Sequence, residues 1–527
     1  MLKLEEMTPE QKLGRVLCAR RFGNPEDVEF TIEMIKNSAV GALQIPCRDK
    51  EKSRELIDKF RAAADYPLII VNDMESKFPL SDLPAVQLMS LAACNNPEYT
   101  RAFAASIAKE ARDFGYSGNW GPCVDIQHSD APCSVGRNMS DTPEETFEMT
   151  KEIFKVYDSY RFHATAKHYP GGNGLPVDSH MVEGHCFDSE EELVNGDLIP
   201  YIKLYNEGLL PAIMSQHAVF PKIDSLPASL SKKVIDIIRN QGFDGVVYTD
   251  SLAMMGILQK YGERRAMAMA LMAGNDIILP NYRTPTMEVY NMMLESYRDG
   301  EITDERLDEA VRRVMALEQY CAAQPENPYP VPENIEKILN CISRDCITAD
   351  CEKGYSPAIN TDKKRLFIVN TTLDYDDSLD KEISFGTWYS PKLVCQSIKE
   401  RFPDSEIQLL SEFPKALDNE RVLNAATKYD EVVFVSYCNS SAYIGTDSMT
   451  RRVEAVINAL ALSNKICALV HFGNPMAVNR VEHVNMIPRI IFGYKSMPSQ
   501  IYAFDVLAGK IPARGKMPFP TLYKCRS

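Results

Sequence analysis

The sequence predicts an α/β protein in two parts, a TIM-type (β/α)8 barrel over residues 1–331 and an open α/β sandwich over residues 332–527. Three observations carry this expectation. Short apolar runs alternate with helical patterns for about 320 residues, the order that yields a parallel sheet with right-handed crossovers. Polar or charged residues recur at the ends of those runs, at Asp73, Asp125, Lys167, His168, His217 and Asp250. The proline-rich stretch from Cys321 to Glu333 then separates off a second series of strands and helices. An open doubly wound sheet would give the same alternation. Acids and bases drawn from many strand ends favour closure around one mouth.

In chain order, Thr8-Pro-Glu-Gln11 is a capped helix start with proline at the first helical position. Val40–Pro46 is a short strand, and a polar helix follows over 49–64. Tyr66–Asp73 is a buried strand ending in an acid, with Glu75 just beyond it. A helix over 96–114 closes at Gly115, and Asn119–Ile126 is a further strand carrying Asp125. Thr142-Pro-Glu-Glu opens a helix that leads into a strand at His163. Helix is expected over 189–207, 231–240, 264–273 and 304–320. Strand is expected over 211–217, 245–250 and 276–280. Beyond 332, strands recur at 365–370, 406–410, 431–436, 466–471 and 488–493 with helices between them.

Composition bounds the function. At 527 residues the chain exceeds a single hydrophobic core. A net charge of −15 argues against nucleic acid or an anionic membrane as the main partner. The first residues carry acids where a secretory leader needs an apolar run, and no stretch has the length of a membrane-spanning helix. Fourteen cysteines are scattered from Cys18 to Cys525 without a metal-binding spacing, which points to a reducing, cytoplasmic compartment.

The chemistry concentrates between Ala166 and His180. A buried strand ends in Lys167 and His168, and a loop rich in glycine and proline then carries Asp178 and His180. Asp178 lies two residues before His180, so in an extended loop both side chains point the same way. The carboxylate can then orient the imidazole and stabilise its protonated form. Asp250 ends the cleanest apolar strand of the chain. A carboxylate held there suits nucleophilic attack on a sugar whose transition state is oxocarbenium-like. Lys167, His168, Arg137 and Asp73 supply the donors and acceptors that sugar hydroxyls need.

These residues resemble glycoside hydrolase family 3 and, within it, the β-N-acetylglucosaminidases. The resemblance rests on Lys167-His-Tyr-Pro-Gly171, Asp178-Ser-His180 and Gly245-Val-Val-Tyr-Thr-Asp250-Ser-Leu-Ala-Met-Met-Gly256. Val135-Gly-Arg137, Met214-Ser-Gln-His217, Ala273-Gly-Asn-Asp276 and the closing run Val506–Pro518 extend it over nearly the whole chain. It implies a retaining hydrolase acting on terminal β-linked N-acetylhexosamine, with no cofactor and no metal. Asp250 is then the nucleophile, and His180 with Asp178 the acid/base dyad. Asp73, Arg137, Lys167 and His168 hold the sugar, and the partner is a small carbohydrate. The loop dyad replaces the carboxylate acid that the family's β-glucosidases take from their second domain.

The sequence departs from the family pattern after Asp73, where Met74-Glu-Ser-Lys-Phe78 stands in place of a Gln-Glu-Gly-Gly-Arg run. The loop reads Gly172-Asn-Gly-Leu-Pro176 where His-Gly-Asp-Thr is common. A β-glucosidase, a β-N-acetylglucosaminide phosphorylase and a non-catalytic sugar-binding protein are the alternatives. Joint presence of Asp250 and His180 counts against the last. His180-Met-Val-Glu183-Gly-His185 falls one residue off a zinc-hydrolase spacing, a weak signal in a glycine-rich loop.

Overall fold

Seven short parallel strands follow one another in chain order: β1 (Cys18–Ala19), β2 (Ala42–Gln44), β3 (Ile70–Asn72), β4 (Gly118–Asn119), β5 (His163–Tyr169), β6 (Ala212–Ser215) and β7 (Val246–Thr249). Each pairs with the next. These elements come from a computed structural model that describes residues 2–128, 136–172, 175, 177–372, 375–376, 381–382, 388–439, 442–443 and 447–523. The ring closes through the run beyond Gly274. Ile277 bridges to Tyr248 of β7, and Ile278 bridges to Leu17 just before β1. The Cys18 N–H donates to Ile278 O at 3.0 Å and the Ile278 N–H to Val16 O at 2.8 Å. The strand expected at 276–280 is thus a two-sided bridge that closes a (β/α)8 barrel.

Asp276 holds this seam and is fully buried. Its Oδ2 accepts from Arg239 at 2.7 Å and from the Val247 N–H of β7 at 3.0 Å. Its Oδ1 accepts from Arg306 at 2.8 Å and from Arg313 at 3.3 Å. Trp120, Met214, Tyr248 and Ile277 belong to one buried cluster between the strands.

Local chemistry explains where the helices start and stop. Thr8 caps Pro9–Arg15, with the Gln11 side chain returning to the cap. Asp49 caps Lys50–Ala63 by accepting from the Lys52 N–H. The helix expected over 189–207 is two helices, Glu190–Val194 and Ile199–Asn206. Pro200 has no N–H to continue the earlier turn, and it sits where the second helix begins. The strand expected at 119–126 pairs only at Gly118–Asn119, because Pro122 cannot donate to a ladder. Cys123 then bridges alone to Lys167.

Contacts divide the chain into two units. The first comprises Met1–Leu83, Thr100–Ile126 and Thr142–Ile335, and the second Pro84–Tyr99, Gln127–Asp141 and Glu336–Ser527. A single cut at 332 does not anticipate the two early segments of the second unit. In that unit β8 (Thr348–Cys351), β9 (Leu366–Thr371), β12 (Glu406–Ser411), β13 (Val432–Cys438), β14 (Ile466–Gly473) and β15 (Arg489–Phe492) form one sheet, in the order β12-β9-β13-β14-β15-β8. All of its pairs are parallel except β15 with β8. A separate short pair, β10 (Tyr375–Asp376) with β11 (Lys381–Glu382), is antiparallel. The helix Leu88–Cys94 places Met89 and Ala93 in this unit's core. No described helix is long and apolar enough to cross a membrane.

Each unit buries a neutral histidine. His163 opens β5, is fully buried and stacks on Tyr248 with ring centroids 6.1 Å apart. His471 of β14 is fully buried between Ser436 Oγ and Asn474 O, 2.8 Å from each. Burial pushes both imidazoles down to about 4. The unfolded chain, titrating near its ordinary value, therefore binds protons that the native state refuses. Stability is fully present above about pH 6.5 and is lost as the pH falls towards 4, by up to roughly 1.4 kcal/mol per pH unit for each histidine. Urea unfolding between pH 7 and 5 should show that slope. His163→Phe should shallow it in the barrel transition, and an unchanged slope would exclude His163 as its source.

Candidate active site

Asp250 is the first residue beyond β7, where the pairing of Thr249 with Ser215 fixes the direction in which the chain leaves the barrel. Its N–H donates to Ser215 O at 2.8 Å, and its Oδ1 accepts from the Ser251 N–H at 2.6 Å. The side chain is half-buried. Burial by itself would raise the carboxyl. The charges of His168 and His217, the Ser251 N–H and His180 outweigh it and bring the group down to about 2. Asp250 is an anion across the whole working range of pH.

Lys167 lies near the end of β5 with its side chain only 2% exposed. A lysine so buried needs partners. Its Nζ is 2.7 Å from Asp73 Oδ1 and 2.6 Å from Glu75 Oε1, both beyond the end of β3. The Asp73 side chain itself is 54% exposed, open to a ligand.

His168 follows Lys167 and is held by Asp125. Asp125 Oδ2 lies 2.7 Å from His168 Nδ1, and Oδ1 accepts from the His168 N–H at 2.8 Å. Burial works against the Asp125 anion, but the imidazole beside it and these hydrogen bonds hold the carboxyl below its usual range. Cys123 Sγ donates to Asp125 Oδ2 at 3.1 Å. The ligand atoms of Cys123, Asp125 and His168 lie within 4.8 Å of one another, a group that could hold a metal ion. His217, two residues past β6, is buried between Ser229 Oγ at 2.8 Å and Ser251 O at 3.0 Å. Burial lowers its affinity for a proton, and Asp250 partly offsets this.

The loop after β5 brings the remaining pair. Asp178 is buried, and its Oδ1 lies 2.8 Å from His180 Nδ1 while accepting from the His180 N–H at 2.9 Å. The Met181 and Val182 N–H groups turn back onto Asp178 O at 2.9 and 3.1 Å. The Met255 N–H donates to His180 O at 2.9 Å, so the loop lies against the helix Met255–Tyr261 that follows the Asp250 segment. Gly256 permits this approach, since a Cβ there would stand 3.0 Å from Val182 O. Glu183 is paired to Lys260 at 2.8 Å and lies 3.4 Å from His185 Nε2. Gly171 and Gly172 turn the chain at positive φ, and the Gly172 N–H donates to Asp197 Oδ1 at 3.0 Å. Asn173, Gly174 and Pro176 of this loop, and Val135 before Arg137, lie outside the described residues.

The barrel therefore brings together Asp73, Lys167, His168, Asp178, His180 and Asp250. Arg137 is half-buried within the segment Gln127–Asp141 of the second unit. Asp125 was visible in the sequence only as a strand-end acid, and its bond to His168 spans 43 positions. Arg20, one residue past β1, was not singled out. It binds Ser251 Oγ and the Pro280 carbonyl, both at 2.8 Å.

Comparison with known proteins bears on the family and the fold. The family description "Glycosyl hydrolase family 3 N terminal domain" fits residues 8–317. A "Beta-N-acetylglucosaminidase/beta-glucosidase" of Cellulomonas fimi is 26% identical over 331 residues, covering 60% of this chain and 58% of that protein, so the match spans little more than half the relative's length. A "Beta-hexosaminidase" of Tolumonas auensis is 26% identical over 258 residues, covering 47% of this chain and 77% of the relative. The fold is similar to that of a glycoside hydrolase family 3 beta-N-acetylglucosaminidase from Paenibacillus sp. str. FPU-7, with a TM-score of 0.80, 24% identity and coverage of 98% of this chain and 100% of that one. It is also similar to the beta-glucoside phosphorylase BglX, with a TM-score of 0.78, 19% identity and coverage of 98% and 95%. With more than half its length matched by the family description, the chain belongs to glycoside hydrolase family 3.

Proposed function

We propose that the protein is a retaining β-N-acetylglucosaminidase that removes terminal β-linked N-acetylhexosamine from a small carbohydrate. One observation carries the reading. Asp250 is held as an anion against its burial by His168, His217, the Ser251 N–H and His180, and the Nδ1 of that last imidazole is engaged by Asp178. The first step is attack of Asp250 on the anomeric carbon while the other ring nitrogen of His180 gives its proton to the leaving oxygen. In the second, His180 takes a proton from water, the water oxygen attacks the same carbon, and Asp250 is released. Two inversions give net retention. Asp178 keeps the imidazole in one tautomer and stabilises its charge after proton uptake.

Lys167, Asp73 and His168 hold the sugar hydroxyls in this reading. The β-hexosaminidases among the relatives support the N-acetyl preference over a glucoside. A histidine base carries no negative charge when neutral, so phosphate can replace water as the acceptor without charge repulsion. Rates with chromogenic β-N-acetylglucosaminide, β-glucoside and β-xyloside, each with and without phosphate, test substrate and acceptor together. Equal rates on glucoside and N-acetylglucosaminide would defeat the proposed preference. The free cysteines, from Cys18 to Cys467 among the described residues, support a reducing, cytoplasmic location.

Asp250→Asn is nearly isosteric but no longer anionic, so turnover should fall by several orders of magnitude with the melting temperature little changed. Residual activity above about a tenth of wild type would remove Asp250 from the role.

His180→Ala should separate the two steps. Substrates with poor leaving groups need a proton and should lose most of their rate, whereas activated aryl glycosides should still load Asp250. The glycosyl-enzyme should then accumulate, and azide, which needs no deprotonation, should restore turnover and give a β-glycosyl azide. Asp178→Asn should weaken the same step less severely. Equal losses on good and poor leaving groups, without azide rescue, would place the proton donor elsewhere.

A further inference from the structure

Arg20 stands one residue beyond β1, at the end of the barrel where the other strand-end groups gather. Its guanidinium lies across three neighbouring chain ends. Nε donates to Gln44 Oε1, at the last residue of β2, at 2.6 Å. Nη1 donates to Ser251 Oγ and to the Pro280 carbonyl beyond the closing bridge, both at 2.8 Å. The Tyr282 ring lies 5.5 Å from the guanidinium carbon. Gln44 Nε2 in turn donates to Asn72 Oδ1 at 3.3 Å, and that same oxygen accepts the Asp73 N–H at 2.9 Å. Arg20 is thereby tied on one side to the residue after the nucleophile and on the other to the chain that carries Asp73.

Two features separate this arginine from a clamp on the strand ends. A guanidinium has five N–H donors, and the protein occupies those on Nε and Nη1 only. Nη2 makes no hydrogen bond among the described residues, and it is absent from the buried, unpartnered atoms, so it reaches open space. All three acceptors are neutral, and no described carboxylate lies within 4.0 Å of the guanidinium. Its charge acts instead on Asp73 and Asp250 across the mouth. A structural peg needs neither a spare donor nor a cation left without a contacting anion.

We propose that Arg20 is a substrate-binding residue whose Nη2 donates to a neutral oxygen of the terminal sugar held between Asp250 and Asp73. The neutral acceptor follows from the surroundings. Asp73, Glu75 and Asp250 outnumber the Lys167 ammonium that pairs with the first two, which disfavours a phosphate or carboxylate on the sugar at this point. The charged donor strengthens such a bond relative to one from a neutral group. It also rejects analogues that lack the oxygen, because the guanidinium would then be left partly desolvated and unpaired.

This inference rests on the glycosidase reading, and a substitution cycle distinguishes the two. Wild type, Arg20→Gln and Arg20→Lys are assayed on an aryl β-N-acetylglucosaminide, on its 3-, 4- and 6-deoxy analogues and on the matching 2-hydroxy glucoside. On the parent substrate Arg20→Gln should lose about 10- to 100-fold in kcat/KM, and on one analogue the loss should shrink to about threefold or less. Arg20→Lys, which keeps the charge, should fall between the two and show the same dependence on that one oxygen. Should Arg20→Gln melt below the assay temperature, the Arg20→Lys cycle is read alone by the same criterion. An equal loss on every substrate would make Arg20 a clamp acting through Ser251 and overturn the proposal, as would no loss at all. Failure of the wild-type enzyme to cleave any of these glycosides would defeat the glycosidase reading, and this inference with it.

Discussion

The buried carboxylate of Asp276 is the constraint on which the barrel depends. It stands in the short run that joins the last strand to the first, and three arginines from two different helices converge on it. An isolated anion at that depth would cost many kcal/mol, and removing the carboxylate would leave three guanidinium groups converging on a site without it. The arrangement therefore specifies one geometry for the seam, because the Val247 N–H bond to Asp276 also sets the register of β7. Asp250, Ser251 and Pro280 take their places from that register, and the contact of Arg20 with the last two exists only because the ring is closed.

The mouth separates its charges by partner. Lys167 is shared by two acids at hydrogen-bond distance, which leaves that cluster one negative charge in excess, and His168 is tied to Asp125. Asp250 is bound directly by a backbone N–H, with imidazoles around it rather than an ammonium or guanidinium in contact. A carboxylate locked to an arginine would be a poor nucleophile. One stabilised by histidines and a backbone amide stays ionised, as the proposed attack on carbon requires.

What the sequence disclosed follows the range of the interaction. Asp178 and His180 sit two positions apart, so their contact was readable from spacing, as were the Thr8 cap and the buried, largely apolar strands β9, β13 and β14, whereas β8 (Thr348–Cys351) carries no apolar run that announces it. The bonds of Lys167 to Asp73 and of His168 to Asp125 span 94 and 43 positions, and only the recurrence of polar residues at strand ends hinted at them. Cys18–Ala19 is too short a strand to show any period, which hid Arg20 as well. The helix Leu88–Cys94 is buried at nearly every position and so lacks the polar stripe by which a surface helix is recognised. Pro200 was in plain view, but a break and a first-turn proline look alike until the backbone is seen.

That helix has a consequence for how the gene can be cut. The polypeptide crosses between the two units after Leu83, Tyr99, Ile126, Asp141 and Ile335, so no single excision yields either unit whole. A fragment ending at the proline-rich stretch would keep Leu88, Met89, Leu91 and Ala93 but lose the strands and helices that cover Met89 and Ala93, turning a core element into a sticky surface. The complementary fragment would have a hole where that helix belongs. The two parts are separate in their cores and inseparable in their threading.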